Sequence, residues 1–440
     1  MAIAADAPKD GFRLSQLIHD TRYRSYTIQF FVLLLVIAFL VWLVDNTIAN
    51  LAAKDKDIDF GFLWARAGYD SDQQLIPYTN DSTHFRALLI GLLNTLAVAF
   101  FACIGATVLG VVVGILRLSK NWLVARLMTV YVEVFRNVPL LLWIVLTFTF
   151  FSEVPMEPKD FKVTQAMVDT WTGPEEARLY PAASKILFDT VAVTNRGTNI
   201  PAPLLRRPLG GVMLGGVPIN FSTIAVILVF ATSLWFNRRL RAQAKAVQET
   251  TGVRPVTWWK SIALIVLPPL ALLLALGLHF EIPDFAVGEN GVSKGFNFQG
   301  GITVAHSFTA LLVALTLYSA TYIAEGVRAG ILAISKGQTE AAYALGLRPG
   351  RTTSLIVMPQ ALRVIIPPLI SQYLNITKNT TLGIAISYLD LKGTLGGITL
   401  NQTGRELESM LLMMIIYLCL SLAISSVMNV YNTAMKLKER

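Results

Sequence analysis

The stretch from Gln338 to Pro359 has the most specific order of residue types in the chain, and it suggests a contact surface rather than bond chemistry. Glu340 to Leu345 are strong helix formers. Gly346 can end that helix, because glycine adopts a left-handed backbone without a steric penalty. Pro349 suits the first turn of a following helix, where a missing N–H costs nothing. The order predicts a short helix, a turn and a second helix.

The first helix of this pair has a surface that suits contact with another protein. Ala341 and Ala342 give it a small side that a partner can approach closely. Glu340 is expected in the first turn, where the helix dipole favours an anion. We interpret this helix as a contact surface for another protein, and an ordinary cytoplasmic helical hairpin is the alternative.

Two pairs of opposite charges are spaced three residues apart, Glu133 with Arg136 and Glu325 with Arg328. Side chains at this spacing lie on one face of a helix, so each pair is expected to form an ion pair. Such a pair can anchor the end of a helix. The alternative is a gate latch or a contact with a partner subunit.

Polar residues interrupt a long apolar run near the C-terminus. Pro367 and Pro368 remove two backbone donors and predict a kink. Polar groups at membrane depth persist where they are buried in protein or face water. The candidates for a translocation path are therefore Asn375, Lys378, Asn379 and Thr381. Lys378 can attract a substrate carboxylate, and hydrogen bonding between helices is the alternative role of this group.

Residue patterns for bond chemistry are sparse. The chain has no Gly-Lys dipeptide, hence no Walker A loop, and no His-Glu-x-x-His zinc helix. Its two cysteines, Cys103 and Cys419, lie in apolar runs and make neither a disulfide framework nor a metal cluster. We expect no catalytic residue, no metal and no cofactor in this chain. Any ATP hydrolysis that it depends on belongs to another polypeptide.

The composition indicates that a membrane must position these residues. Of 440 residues, 54% are hydrophobic and only 15% charged, and the mean hydropathy is +0.56, whereas soluble domains are about 25% charged. A bilayer core needs about 20 apolar residues in a helix. We predict an all-α, polytopic helix bundle with about eight spans, at 28–45, 88–116, 129–151, 217–236, 259–278, 305–324, 362–387 and 410–430. The first span is expected to be retained rather than cleaved as a signal peptide.

The distribution of Lys and Arg predicts the orientation of these spans. With the N-terminus inside, twenty of the 37 basic residues fall in the cytoplasmic segments 1–27, 117–128, 237–258, 325–363 and 431–440. This bias predicts that both termini are cytoplasmic. It also assigns the net charge of +9 to the inner loops rather than to a nucleic-acid site.

The spacing of Glu340-Ala341-Ala342, Gly346, Ile356 and Pro359 resembles the EAA loop of ABC-importer permease subunits at every anchor position. The segment 319–331 before the loop, and segments 93–96 and 131–140, are similar to polar amino-acid uptake permeases. The segments 377–382 and 401–404 resemble the general L-amino-acid permeases of proteobacteria, a group that includes glutamate/glutamine/aspartate/asparagine transporters.

This resemblance implies a type I ABC-importer transmembrane domain in the bacterial inner membrane. It implies a role in ATP-driven import of polar L-amino acids, with the ATPase docked on Glu340 to Gly346. The implied partners are a second permease, related but different in sequence, two ATP-binding subunits, a periplasmic amino-acid-binding protein and the lipid bilayer, with no nucleic acid.

The resemblance also divides the chain. Residues 1–87 contain the N-terminus, the first span and a periplasmic loop, and 88–151 are the first part of the permease domain. Residues 152–299 are an inserted periplasmic loop with two additional helices. Residues 300–440 are the second part, with the coupling loop at about 337–359. An ion-gradient-driven secondary transporter is the alternative function, because such carriers use interrupted helices.

Overall fold

A computed structural model describes residues 21–53, 58–170, 181, 183–214, 217–253, 255–288 and 292–435, and this part of the chain is mostly helical. The longer helices are α1 (Thr21–Ala52), α2 (His84–Leu116), α3 (Trp122–Asn137), α4 (Leu140–Glu153), α5 (Phe221–Thr251), α6 (Trp258–Ala275), α7 (His306–Leu332), α8 (Lys336–Ala344), α9 (Met358–Asn379) and α10 (Glu406–Met435). The strands are β1 (Ala192–Thr194), β2 (Gly197–Ile200), β3 (Ala202–Leu205), β4 (Gly211–Leu214), β5 (Val217–Asn220), β6 (Leu278–Glu281), β7 (Asp284–Val287), β8 (Ser293–Gln299) and β9 (Ile302–Val304).

The predicted helix bundle is confirmed. Seven stretches in the described residues are long and apolar enough to cross a membrane, and they contain α1, α2, α5, α6, α7, α9 and α10. Among the described residues, those up to Gly61, with α1, form one compact unit, and those from Phe62 form another. The termini, 1–20 and 436–440, lie outside the described residues, and their cytoplasmic location stays a prediction.

The third predicted span, 129–151, is not one continuous helix. It consists of α3 and α4, which meet at an angle of 104°. Pro139 causes the break, because its ring keeps the preceding Val138 extended, at φ −100° and ψ 133°, and it provides no N–H for a continuing helix. The described residues therefore contain seven candidate spans, or eight if this bent pair crosses the membrane as one unit.

Helix α7 is the centre of the second unit, where it packs against α2, α4 and α9. Its Leu311 and Leu315 are completely buried. Helix α2 approaches α7 closely through Gly110 and Gly114: a Cβ there would lie 2.8 Å from the Ala320 carbonyl oxygen or 2.7 Å from that of Ala324. Glycines four residues apart permit this close contact between membrane helices.

We expect Gly110→Ala to lower the free energy of unfolding by about 1–3 kcal/mol, because the added methyl group must displace the backbone of α7. Unfolding in mixed detergent micelles measures this. The control is Gly326→Ala on α7, where the new Cβ meets Pro368 at an ordinary 3.9 Å. Equal stability of the two variants would show that the α2–α7 contact is not tight.

The region 152–304 contains small β-structures that flank α5 and α6. Strands β1, β2 and β9 form an antiparallel sheet, and β3–β6, β4–β5 and β7–β8 are antiparallel pairs. Two of these pairings join residues before α5 to residues after α6. In this region the Phe298 ring packs against the rings of Phe161 and Phe285. Described residues before α5 are thus joined by backbone hydrogen bonds to residues after α6.

Candidate functional site

The predicted coupling hairpin forms as helix, turn and helix. Helix α8 ends at Ala344, and Gly346 follows two residues later with a φ of +75°. The Leu347 N–H donates to the Ala342 carbonyl at 3.1 Å, and the Gly346 N–H donates to the Tyr343 carbonyl at 2.9 Å. This pair of bonds is the Schellman arrangement, in which a left-handed glycine terminates a helix. Pro349 then begins the short helix Pro349–Thr352.

The hairpin continues directly into α9. A π-helical turn over Thr353–Val357 contains the partly buried Ile356, and Pro359 lies in the first turn of α9. The Gln360 Nε2 donates to Gln338 Oε1 at 3.4 Å, which joins α9 to α8. Helix α8 is therefore joined to α9 through one short, continuous segment.

Two details of the predicted docking face are wrong. Ala342 is 1% exposed, so it packs inside this chain, and only Ala341 of the pair faces outward. Glu340 lies in the second turn because α8 begins earlier, at Lys336, so the dipole argument does not apply to it. The outward apolar residues are instead Leu345, 82% exposed, and Tyr343, 48% exposed. The sequence pattern did not lead us to Leu345, although its position next to the terminating Gly346 places it at the tip of the hairpin.

One of the two predicted ion pairs forms, and it has a third member. Arg328 Nη2 lies 2.9 Å from Glu325 Oε1, and Arg117 Nη1 contacts Glu325 Oε2. The Arg117 side chain is only 9% exposed. Arg117 ends α2, so this cluster joins α2 to α7 at one end of the bundle.

The other predicted pair does not form. Glu133 and Arg136 are exposed, and neither is within ion-pair distance of an opposite charge in the described part of the chain. The Arg136 guanidinium lies over the Tyr322 ring instead, 5.1 Å from its centroid. Tyr322 in turn hydrogen-bonds Tyr318 at 2.9 Å between their hydroxyl oxygens.

The candidate translocation residues separate into two groups. Asn375 and Lys378 are exposed on the same face of α9 as Ser371. Asn379 and Thr381 are partly buried, and the Thr381 hydroxyl donates to the Lys378 carbonyl at 2.8 Å. Helix α9 continues through Pro367 and Pro368. The structure thus leaves the Lys378 ammonium and the Asn375 amide exposed on one face of this spanning helix.

A buried polar cluster near the other end of the bundle was not predicted. Asp390 is completely buried; its Oδ1 accepts from the Gly393 N–H at 2.8 Å, and Tyr417 donates to its Oδ2 at 3.4 Å. Nearby, the amide of Asn94 donates to the carbonyls of Gln73 and Leu389. Burial raises the pKa of Asp390 to about 7. The contacts of Asn94 and Tyr417 join residues that are far apart in the sequence, so no local pattern reveals them.

We expect Asp390 to make stability depend on pH. Its folded pKa lies above the ordinary value, so the folded state holds the extra proton and gains stability from it at low pH. That contribution declines as the pH rises from about 4 to about 7. The stability of the wild type relative to Asp390→Asn should therefore fall over this range, as measured by unfolding in mixed micelles. A constant difference would mean that Asp390 ionises normally.

The sequence does contain one serine motif with catalytic spacing, although no catalytic residue is expected in this chain. Gly291-Val292-Ser293-Lys294-Gly295 has the Gly-x-Ser-x-Gly spacing of a nucleophile elbow. That elbow requires a strand-to-helix turn, whereas Ser293 begins β8, and its hydroxyl accepts from the Val163 N–H at 3.0 Å. In the described ranges, no group of three His, Cys, Asp or Glu side chains is arranged to hold a metal.

Comparisons with known proteins agree on one family. A family model described as the binding-protein-dependent transport system inner membrane component matches residues 255–437. The glutamate/glutamine/aspartate/asparagine transport system permease protein BztB of Rhodobacter capsulatus is 62% identical over all of both chains. The general L-amino acid transport system permease protein AapQ of Rhizobium johnstonii is 40% identical over 98% of this chain and 96% of its own. BztC of Rhodobacter capsulatus, named as a permease of the same system as BztB, is 36% identical over 30% of this chain and 34% of its own.

Proposed function

This chain belongs to the family of amino-acid ABC transporter permeases, and from that premise we propose that it carries polar L-amino acids into the cytoplasm as the spanning subunit of an ATP-driven importer. The name of the full-length relative BztB supports glutamate, glutamine, aspartate and asparagine as the substrates to test first. The chain is a multi-pass protein of the inner membrane and is not the catalytic subunit.

The single observation that carries this proposal is the exposed tip of α8. An importer subunit without an ATP site must be driven by a partner ATPase, and the movement of that ATPase must reach it through a surface contact. Leu345 is 82% exposed at the end of a hairpin that is otherwise closed by its own hydrogen bonds. A large apolar side chain held outward by a rigid turn suits insertion into a groove of an ATPase. We assign the coupling role to Glu340, Ala341, Leu345 and Gly346, with Ala342, Ile356 and Pro359 as internal supports.

We expect Leu345→Asp to weaken ATPase binding about tenfold or more, because the interface loses a buried leucine and gains a charge. ATPase co-purification and ATP-dependent uptake into proteoliposomes measure the effect. Leu332→Asp is the matched control, since Leu332 is 58% exposed but lies outside the hairpin, at the end of α7. Uptake that is unaffected by Leu345→Asp, or reduced equally by both substitutions, contradicts the assignment.

We also propose that the exposed face of α9 lines the translocation path. Charged side chains within spanning segments face protein or a water-filled cavity, because lipid solvates them poorly. Lys378 and Asn375 therefore need a neighbour on this face, and a second permease with a water-filled gap between the two chains provides it. Lys378 then attracts substrate carboxylates. Asn379 and Thr381 position the end of α9 beside it.

The proposed assembly contains a second permease of related but different sequence, two ATP-binding subunits and a periplasmic binding protein. The pairing of BztB with BztC under one transport-system name supports two different permeases. The positive-inside bias supports cytoplasmic termini. We retain the division into 1–87, 88–151, 152–299 and 300–440 as a proposal, in which 152–299 is an addition to the core permease.

A further inference from the structure

The pair of helices within the insertion, α5 and α6, has a strongly basic end. From Asn237 to Ser261 the sequence contains six Lys and Arg and one acidic residue, Glu249. The apolar part of α5 runs over 221–236, so its basic cluster begins where the helix leaves the hydrocarbon core. The positive-inside rule places this end at the cytoplasmic leaflet.

A cavity of about 360 Å³ lies at this basic end. It is lined by Arg241, Pro255, Val256, Thr257, Trp258 and Ser261. In the described ranges Arg241 has no carboxylate within 4 Å, so its charge is uncompensated. The first turn of α6 adds N–H groups without a side-chain cap. Both features favour an anion in the cavity.

Aromatic residues place the cavity at the depth of lipid headgroups. Trp258 and Trp259 at the start of α6 are 68% and 53% exposed. On α5, the Arg239 guanidinium lies 3.7 Å from the centroid of the Trp235 ring. Tryptophans of spanning helices concentrate at the membrane–water interface. One turn before Arg241, Asn237 is 5% exposed and its Oδ1 has no hydrogen-bond partner.

The surface beside the cavity is apolar and continuous along α6. Its exposed side chains are Ile262, Val266, Leu267, Leu270 and Leu274. A soluble anion would leave this surface unused, whereas the acyl chains of a lipid can cover it. The combination of an unpaired arginine, an open cavity and an adjoining apolar stripe therefore matches an amphiphile with an anionic head.

We propose that this cavity binds the phosphate of an anionic phospholipid from the cytoplasmic leaflet. Arg241 pairs with the phosphate oxygens, since a guanidinium matches their geometry. Trp258 lies against the headgroup, and the apolar side chains of α6 contact the acyl chains. The insertion 152–299 then gives the importer a specific lipid contact that a permease without α5 and α6 lacks.

The test uses the assembled importer in nanodiscs that contain phosphatidylcholine and phosphatidylglycerol in known proportions. Native mass spectrometry counts the lipids that stay bound after detergent extraction. We expect preferential retention of phosphatidylglycerol, and Arg241→Gln should lower it about fivefold. Lys245→Gln is the matched control: Lys245 lies one turn further along α5, exposed and paired with Glu249 at 3.7 Å. It should change retention less than about twofold, and Arg241→Lys should preserve most of it.

Equal loss in Arg241→Gln and Lys245→Gln would overturn the proposal, because it would indicate general attraction to a basic surface. Equal retention of both lipids would also overturn it, as would displacement of phosphatidylglycerol by millimolar inorganic phosphate. If Arg241→Gln does not assemble, Trp258→Ala examines the same cavity and should lower the retention of phosphatidylglycerol. Unchanged retention in Trp258→Ala would then contradict the assignment.

Discussion

Replacement of Glu325 by alanine should lower the free energy of unfolding by about 2–4 kcal/mol. The Arg117 side chain is 9% exposed and would be left without its carboxylate, while Arg328 would lose the same partner. Breaking a buried ion pair costs about 3–5 kcal/mol, and the partial exposure of Glu325 reduces this figure. Unfolding in mixed detergent micelles is the measurement.

The chain contains a well-matched control for this substitution. Glu133 also precedes an arginine by three residues, but it is exposed and has no ion pair in the described structure, so Glu133→Ala should have little effect. The double variant Arg117→Ala with Glu325→Ala should be more stable than the sum of the single effects predicts. Additive effects, or equal losses in Glu325→Ala and Glu133→Ala, would show that the Arg117–Glu325 contact does not stabilise the bundle.

Replacement of Lys378 by methionine should lower the rate of amino-acid uptake by about tenfold to about 150-fold. The variant keeps a long, unbranched side chain and removes a hydrogen bond from an ammonium group to a carboxylate, a contact of about 1.5–3 kcal/mol. Assembly and basal ATP hydrolysis should not change, because the proposed role concerns the substrate alone. Uptake of labelled glutamate and glutamine into proteoliposomes, with ATPase assays on the same samples, measures both.

Lys392→Met is the control for Lys378→Met, since Lys392 is partly exposed but lies in the segment after α9. Normal uptake by Lys378→Met would remove Lys378 from the path. Loss of the second permease on purification would instead make Lys378 an interface residue, which also contradicts the proposed contact with the substrate.

The features that the sequence predicts well are those with a local cause. Hydropathy locates the spans, because a run of about 20 apolar residues is typical of a membrane-spanning helix. The coupling hairpin is equally local: Gly346 allows the left-handed turn and Pro349 starts the next helix. The break at Pro139 has a local cause as well, yet averaging hydropathy over 129–151 hides a single proline.

The features that sequence reasoning missed depend on packing between distant segments. Arg117 and Glu325 are separated by 208 residues, so the spacing rule found Arg328 and not Arg117. The same rule wrongly paired Glu133 with Arg136, because it ignores the competing Tyr322 ring from another helix. The burial of Ala342 likewise depends on the packing of α8 against other segments of this chain. Periodicity shows that two residues share a face but not what covers that face.

The most direct test of the central claim is uptake by the reconstituted importer. Proteoliposomes would contain this chain, its partner permease and the ATPase, and a labelled amino-acid panel led by glutamate and glutamine would be offered. ATP and the binding protein would each be supplied or withheld. We predict that uptake requires both and persists when the ion gradient is collapsed. Uptake that needs neither but disappears with the gradient would contradict ATP-driven import and would identify a secondary transporter.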